Sequence, residues 1–563
     1  MEARTLAPAD LDIAASSTTT GASNGIYSGS LPAKFPSKIA RGVWLQPEDQ
    51  MRAGMLIVAV LVAILSAFGS FAAAAESQET QDVLWPTRSW QTSSPEEQGM
   101  DSASLARLVE AVGAYKQDSL TVIRHGRIVA DAYYAPYVPG VSHDLRSVTK
   151  SVVSTLTAIL LEKGGLDNVD HSVVDLFSDK QIQDIDARKK AITVQNLLDM
   201  TSGIEWVEKL YTPGETIMKM YDSPNRTAFV LNQPMADAPG ATFQYNSGNP
   251  YLLSALITKA TGQSAFDYAT KELFEPLGIK SAKWGKVDAQ GVTDGEAGLS
   301  LSPHDMARIG YLYLHNGQWE GRQIIPSSWV ERAKSGPVAA TFGFHYGNLW
   351  WSYPEKGAYM ARGRHSQLIL VIPKFDIVVA MTGFLNDTEF YSASSLIDDI
   401  SSAVRSDQPL PDNPVAQALL AKAIHRAAEE KPYAVASTPQ LAKAISGKVY
   451  SFIDNKLRVK SFTLDFYDHD SSWVITTYGD NGNNRFSGLV GLDGAYRKSP
   501  PAPYGINAAR GRWTSDHSFV MERRILGHSE TQTWALTFDG DKVTVNFENT
   551  DGFKTELHGE RSE

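Results

Sequence analysis

Between Ser147 and Gly165 the chain carries an almost uninterrupted apolar helical pattern, with Val152, Val153, Leu156, Ile159 and Leu160 spaced along it and Gly164-Gly165 closing it. A helix this apolar must be covered by other elements, so the fold has to be built around it. Its head is polar. Ser147-Val148-Thr149-Lys150 places a hydroxyl and an amine one turn apart, and side chains at i and i+3 share a helix face. A lysine amine titrates near about 10.4 in water, but burial disfavours its charged form and the positive end of a helix dipole acts in the same direction. A neutral Lys150 can then take the Ser147 proton, which makes the pair a nucleophile with its own base. The same residues fit a second reading, in which Ser147 is an N-cap whose hydroxyl accepts a backbone amide and Lys150 points to solvent. Two fixed residues do not choose between them.

At 563 residues the chain exceeds what one core serves, so two or more domains are expected. A net charge of -11 without basic runs leaves no electrostatic footprint for nucleic acid. The absence of cysteine excludes disulfides, thiolate nucleophiles and cysteine-based zinc sites. The histidines show no paired ligand spacing, so neither a metal nor another cofactor is expected. The uncharged run Met55 to Phe71, preceded by Arg52 and followed by Ala72-Ala73-Ala74-Ala75, has the make-up of a secretory signal peptide. Met51-Arg52 is then the natural initiation site. If Met1 is the start, residues 55–74 are near the minimum length for a membrane anchor. Either way the expected location is exported, periplasmic or secreted. Residues 1–50, rich in Ser, Thr, Ala, Pro and Gly, are expected to be a disordered extension or a misassigned start.

Further segments accompany the tetrad in a fixed order. They are Thr193-Val194-Gln195-Asn196-Leu197-Leu198-Asp199-Met200-Thr201-Ser202-Gly203, then Tyr245-Asn246-Ser247-Gly248-Asn249, then Tyr359-Met360-Ala361-Arg362-Gly363-Arg364-His365-Ser366-Gln367 running into the apolar strand Leu368 to Ile372 before Pro373. Together they resemble the beta-lactamase-related serine hydrolases, a family holding beta-lactamases, DD-peptidases, esterases, D-aminopeptidases and 6-aminohexanoate-dimer hydrolases. The resemblance covers roughly residues 90 to 403. Tyr245 matches the tyrosine of the family's Tyr-x-Asn, with Ser247 in the asparagine place, and Ala361-Arg362-Gly363 stands where Lys-Thr-Gly or His-x-Gly is usual. These departures point away from penicillins and toward the esterase and 6-aminohexanoate-dimer hydrolase side of the family.

The resemblance implies a hydrolase of ester or amide bonds that forms an acyl-enzyme on Ser147, with Lys150 and Tyr245 as base and proton shuttle. It also implies that Tyr245 hydrogen-bonds Ser147 or Lys150, that Ser247 supports the network, and that an oxyanion hole forms from the amides of Ser147 and Arg364 beside Gly363. Arg362 or Arg364 is the candidate to supply the cation lost with the missing lysine. The partner is a small ester, amide or peptide-like substrate; the oligomeric state is open. A beta-lactamase, DD-carboxypeptidase or D-aminopeptidase is the alternative within this chemistry, and a non-catalytic wall-binding or sensor protein is the alternative outside it.

The expected architecture is an α/β (α+β) domain of the serine beta-lactamase/transpeptidase type over residues 76–405, with an antiparallel sheet flanked by helices. Asp101 to Tyr115 reads as an amphipathic helix, and Leu120 to Tyr134 as two strands around His125-Gly126. Tyr251 to Thr261 reads as a second helical run, and Pro303 as another helix start. Trp206, Trp284, Trp350 and Trp351 fall near the motifs and fit either a substrate pocket or the core. His365, beside the third motif, fits a substrate contact or a hydrogen-bonded bystander. Residues 406–440 read as a linker followed by a helix from Val415 to Glu430. Short alternating segments between turns over residues 441–563 predict an antiparallel β domain, either barrel or sandwich.

Overall fold

A computed structural model describes residues 83–562 apart from 209–214, 286, 386–391, 467–470, 480–481 and 503–504. The expectations for residues 1–50 and 51–75, and for an anchor over 55–74, lie outside the described residues. Among those described, no helix is long and apolar enough to cross a membrane. Residues from Asp82 onward form one compact unit.

Its first part is organised on a nine-stranded sheet. In spatial order the strands are Gln91–Thr92, Arg127–Tyr133, Gln117–Arg124, Ile377–Gly383, Gln367–Ile372, Ala358–Gly363, Trp350–Tyr353, His345–Gly347 and Val338–Ala339. All neighbours are antiparallel except the first pair. The hairpin at His125-Gly126 closes with both turn residues at positive φ, 49° and 71°, which is the twist a two-residue connection between right-handed strands requires. Along Ile377–Gly383 the side chains alternate between two cores: Val378 and Ala380 face one, and Ile377, Val379 and Met381 face the other. Both faces being covered explains why this strand is a continuous apolar run.

The helix expected at the centre spans Val148–Glu162 and buries every residue from Val148 to Leu160. It packs with Gly248–Thr261 and Pro303–Leu314 on one face of the sheet. Ser302 caps the latter by accepting the Asp305 amide. The opposite face is covered by Ser102–Gly113, Ala393–Ala403 and Pro414–Ala427. Leu420 and Ala423 of the last helix join the same apolar cluster as Leu105 and Leu108.

The C-terminal residues form a ten-stranded antiparallel sheet from Val449–Phe452 to Lys554–Arg561. Its ends approach each other through a bridge between Gly491 and Arg510, so the sheet curls into a nearly closed barrel and not a two-sheet sandwich. Trp473, Trp513, Trp534, Phe519 and Phe538 fill it.

The barrel is bolted to the first part. Arg524 donates two hydrogen bonds to Asp118, at 3.0 and 2.7 Å, and neither side chain is exposed to solvent. His143 meets the same carboxylate at 2.9 Å. Burial alone would raise the Asp118 pKa, but Arg524 and His143 hold it below the usual carboxylate range.

Candidate active site

The approach to Ser147 is set by a short strand, His143–Asp144, pairing with Leu299–Leu301, and by Arg146 in the left-handed region at φ 49°. Ser147 stands at the N-cap position of Val148–Glu162, yet its side chain makes no capping hydrogen bond. The hydroxyl faces Lys150, whose Nζ donates to Ser147 Oγ at 2.9 Å and to the Glu296 carbonyl oxygen at 2.9 Å. Lys150 is 2% exposed, and among the described residues no carboxylate lies within ion-pair distance of it. The solvent-pointing lysine of the second reading is therefore not what this sequence builds: the apolar helix carries Lys150 inward with it.

Tyr245 stacks on Trp351, with ring centroids 5.9 Å apart and planes 22° from parallel. Lys150 Nζ sits 5.0 Å from the Tyr245 ring centroid. Among the described residues no hydrogen bond joins the Tyr245 hydroxyl to Ser147 or Lys150; the contact with the amine is through the ring face. Ser247 opens the Gly248–Thr261 helix, but its hydroxyl donates to Glu208 Oε1 at 2.5 Å and its amide to Glu208 Oε2 at 3.0 Å. Trp206 Nε1 donates to the same Oε2 at 2.6 Å. Ser247 thus anchors to a glutamate instead of to the Ser147–Lys150 pair.

The third segment ends the strand Ala358–Gly363, paired with Gln367–Ile372. Ala361 is fully buried in the core. A Cβ on Gly363 would press into the Leu145 carbonyl oxygen and stand 3.1 Å from the Ser147 amide nitrogen, so only glycine lets the strand approach the serine this closely. The Ser147 amide makes no backbone hydrogen bond among the described residues, which leaves it available to an oxyanion.

Arg362 lies with its guanidinium 5.0 Å from the Phe344 ring centroid and 5.8 Å from that of Trp351. It has no carboxylate partner among the described residues. Burial pushes its pKa below the usual range, opposed by nearby Tyr245. Arg364 and His365 turn instead toward Asp551, each at 2.8 Å from its Oδ1.

An open cavity of about 830 Å³ is lined by Ser147, Lys150, Tyr245, Trp351, Arg362 and Asp551, among others. Of the four tryptophans near the motifs only Trp351 lines it. Trp350 is buried in the core, Trp206 holds Glu208, and Trp284 donates to the Asp294 carbonyl oxygen at 2.8 Å. His365 is buried and bonded to Asp551 and to the Leu385 carbonyl.

Three acidic residues that the sequence reading missed also face this cavity: Glu208, Glu296 and Asp551. Glu296 is 1% exposed, and among the described residues neither carboxyl oxygen has a hydrogen-bond partner within bonding distance, although the Tyr221 hydroxyl works to lower its pKa. Burial above all, then the neighbouring Asp294, pushes its pKa up to about 8, against the opposing pull of Lys150. Asp551 behaves oppositely. Burial would raise it, but the His365 hydrogen bond and the charges of Arg146 and Arg364 draw it down to about 2. Nothing in the local sequence singles these three out from 63 acidic residues.

The family model described as Beta-lactamase matches residues 105–396. A 6-aminohexanoate-dimer hydrolase from Paenarthrobacter ureafaciens is 24% identical over 312 residues, covering 51% of this chain and 78% of that protein. Among solved structures, one from Bacillus anthracis, provisionally named a 6-aminohexanoate-dimer hydrolase, is 21% identical with a TM-score of 0.49. It covers 58% of this chain and 90% of its own. An octameric penicillin-binding protein homologue from Pyrococcus abyssi is 17% identical with a TM-score of 0.41, covering 82% of this chain and 99% of its own.

Proposed function

Since the chain belongs to the beta-lactamase family of hydrolases, we propose that it cleaves linear amides or esters through a covalent acyl-enzyme on Ser147. The observation that carries this reading is the 2.9 Å contact between Lys150 Nζ and Ser147 Oγ at the wall of an open cavity. In its amine form Lys150 takes the hydroxyl proton as Ser147 Oγ bonds to the substrate carbonyl carbon. The Glu296 carbonyl fixes the amine by accepting a second Nζ hydrogen. The developing oxyanion meets the Ser147 amide, with the Arg364 amide beyond Gly363 as second donor. The proton passes from Lys150 to the leaving amine or alcohol, and the Tyr245 ring, 5.0 Å from Nζ, packs against the amine that carries it. Water then attacks the acyl carbon, returning its proton along the same route and freeing Ser147.

The walls support a substrate class. Arg362 offers a planar cation, held near the Phe344 and Trp351 rings and without a carboxylate partner among the described residues, which suits a substrate carboxylate. A 6-aminohexanoate dimer, for which the Paenarthrobacter relative is named, is a linear amide with such an end. We therefore place this chain with hydrolases of carboxylate-bearing linear amides and related esters.

The test is turnover of p-nitrophenyl esters and short linear amides by wild type and Ser147→Ala, with intact-mass analysis after a fluorophosphonate probe. Turnover lost in the variant, with a single adduct on Ser147 in the wild type, is the expected result. Full activity in Ser147→Ala, or none in the wild type, overturns the reading; rapid release of labelled penicillin moves the substrate to beta-lactams.

A further inference from the structure

Resting on the Ser147 reading, we propose that Asp551, borne on the turn between the last two barrel strands, is a positioning residue for the hydrolytic site, so that the C-terminal barrel completes the active site. The turn joins Lys542–Asn549 to Lys554–Arg561 and delivers the carboxylate into the same cavity as Ser147, where its side chain is only 8% exposed.

One carboxylate there receives donors from two separate stretches of the first part. Asp551 Oδ1 accepts from Arg364 Nη1 at 2.8 Å and from His365 Nε2 at 2.8 Å, and Oδ2 accepts from Arg146 Nη2 at 3.2 Å. The two ring nitrogens of His365 face the Asp551 carboxylate and the Leu385 carbonyl. Arg146 immediately precedes Ser147. Arg364 and His365 immediately follow Gly363, where an added Cβ would stand 3.1 Å from the Ser147 amide nitrogen. Asp551 therefore ties together the two backbone segments that carry the oxyanion-hole amides.

Those segments need tying. Arg146, His365 and Ser366 all hold positive φ, at 49°, 65° and 72°, and a side-chain-bearing residue keeps such a conformation only where its surroundings impose it. A second barrel loop acts on the same place. Ser529 Oγ accepts from Arg146 Nε at 2.7 Å, the Gly527 carbonyl accepts the Asp144 amide at 2.6 Å, and Thr531 N donates to Thr550 Oγ1 at 3.1 Å, linking this loop to the Asp551 turn. Plain interdomain adhesion would not require the carboxylate to reach the residues on either side of the nucleophile.

The experiment uses the full chain. Asp551→Asn keeps the shape and removes the charge, and three quantities are read: kcat and KM on a p-nitrophenyl ester, the rate of Ser147 phosphonylation by a fluorophosphonate, and the thermal midpoint. The expected result is a fall of about tenfold to hundredfold in kcat and in phosphonylation rate, the range of lost supporting or oxyanion contacts. KM should stay within about twofold, and Asp551→Glu should recover part of the rate. Wild-type kcat and labelling in Asp551→Asn overturn the proposal whatever the midpoint does; so does a loss that vanishes when the assay is cooled below the variant's unfolding range. If Asp551→Asn does not fold, Arg364→Gln, which removes one donor and keeps the backbone amide, is held to the same criteria. Ser147→Ala separates the two readings. Activity surviving there refutes the serine mechanism, whereas a dead Ser147→Ala beside a fully active Asp551→Asn refutes only the positioning role.

Discussion

Replacing Glu296 by glutamine is the sharpest probe of the electrostatics beneath Lys150. The folded protein buries this carboxyl without a hydrogen-bond partner of normal geometry and beside Asp294, so it keeps its proton up to about pH 8, where an ordinary glutamate releases it near 4.5. Between those values the folded state holds one more proton than the unfolded state, and stability falls as pH rises. The full difference corresponds to about 5 kcal/mol at about 1.36 kcal/mol per pH unit, a ceiling because water entry or relaxation lets the carboxylate ionise more cheaply. Glutamine has the same shape and no such proton. Equilibrium urea unfolding of wild type and Glu296→Gln should therefore give a stability difference that moves in the variant's favour from about pH 4.5 to about pH 8, by several kcal/mol, and then levels. A difference that stays constant across the window refutes the reasoning and shows Glu296 ionised in the fold. The contact to Lys150 runs through the Glu296 main-chain carbonyl, so the substitution leaves that acceptor in place.

Arg362→Ala should raise KM for carboxylate-bearing linear amides by about tenfold or more, the worth of a charge-assisted hydrogen bond, while changing KM for neutral esters of equal length far less. Steady-state kinetics on a matched pair of substrates checks this, and Arg362→Lys should restore only part of the loss because an ammonium lacks the planar fork a guanidinium offers a carboxylate. Asp118→Asn leaves the fully buried Arg524 without its counter-charge and should cost about 3–5 kcal/mol in urea unfolding at neutral pH. Since the Asp118 carboxyl is held below its ordinary range, the deficit should shrink as pH falls through the acid range, where the wild type loses the same interaction.

The elements legible in the sequence are those whose signal is periodic. Val152 to Leu160 announce a buried helix, and a buried helix fixes where Lys150 must go. Leu368 to Ile372 and the barrel strands declare themselves by apolar runs and alternation because a strand shows its surroundings every second residue. The acidic members of the site have no such signal. Glu208 meets Ser247 from 39 positions away and Asp551 meets Arg146 from 405 away, so their roles exist only after the chain has folded. Ser247 illustrates the same limit. Its place beside Tyr245 could be read from the motif, but its hydrogen-bond partner could not, since a hydroxyl bonds to whatever acceptor tertiary packing supplies. The closure of the barrel depends likewise on a bridge between Gly491 and Arg510 that no local pattern foretells.

The barrel contacts converge on a remarkably short stretch only in number of residues, not in number of elements: Gly527 takes the Asp144 amide, Ser529 and Asp551 take Arg146, and Arg524 shares Asp118 with His143. Every residue from His143 to Arg146 other than Leu145 is thus held by the C-terminal part or by a side chain that it holds. Leu145 is fully buried, and its carbonyl lies against Gly363. The segment leading into Ser147 consequently has no conformation of its own that the helix alone would impose; Arg146 sits at positive φ because contacts on both sides keep it there. Taking the barrel away would remove Arg524 from Asp118, leaving it His143, and release Arg146 and Arg364 from their shared carboxylate. Within the intact chain the Arg524–Asp118 pair is fully buried, and breaking a buried pair by removing one partner is strongly destabilising, so the two parts are coupled in stability, in keeping with the single compact unit that they form.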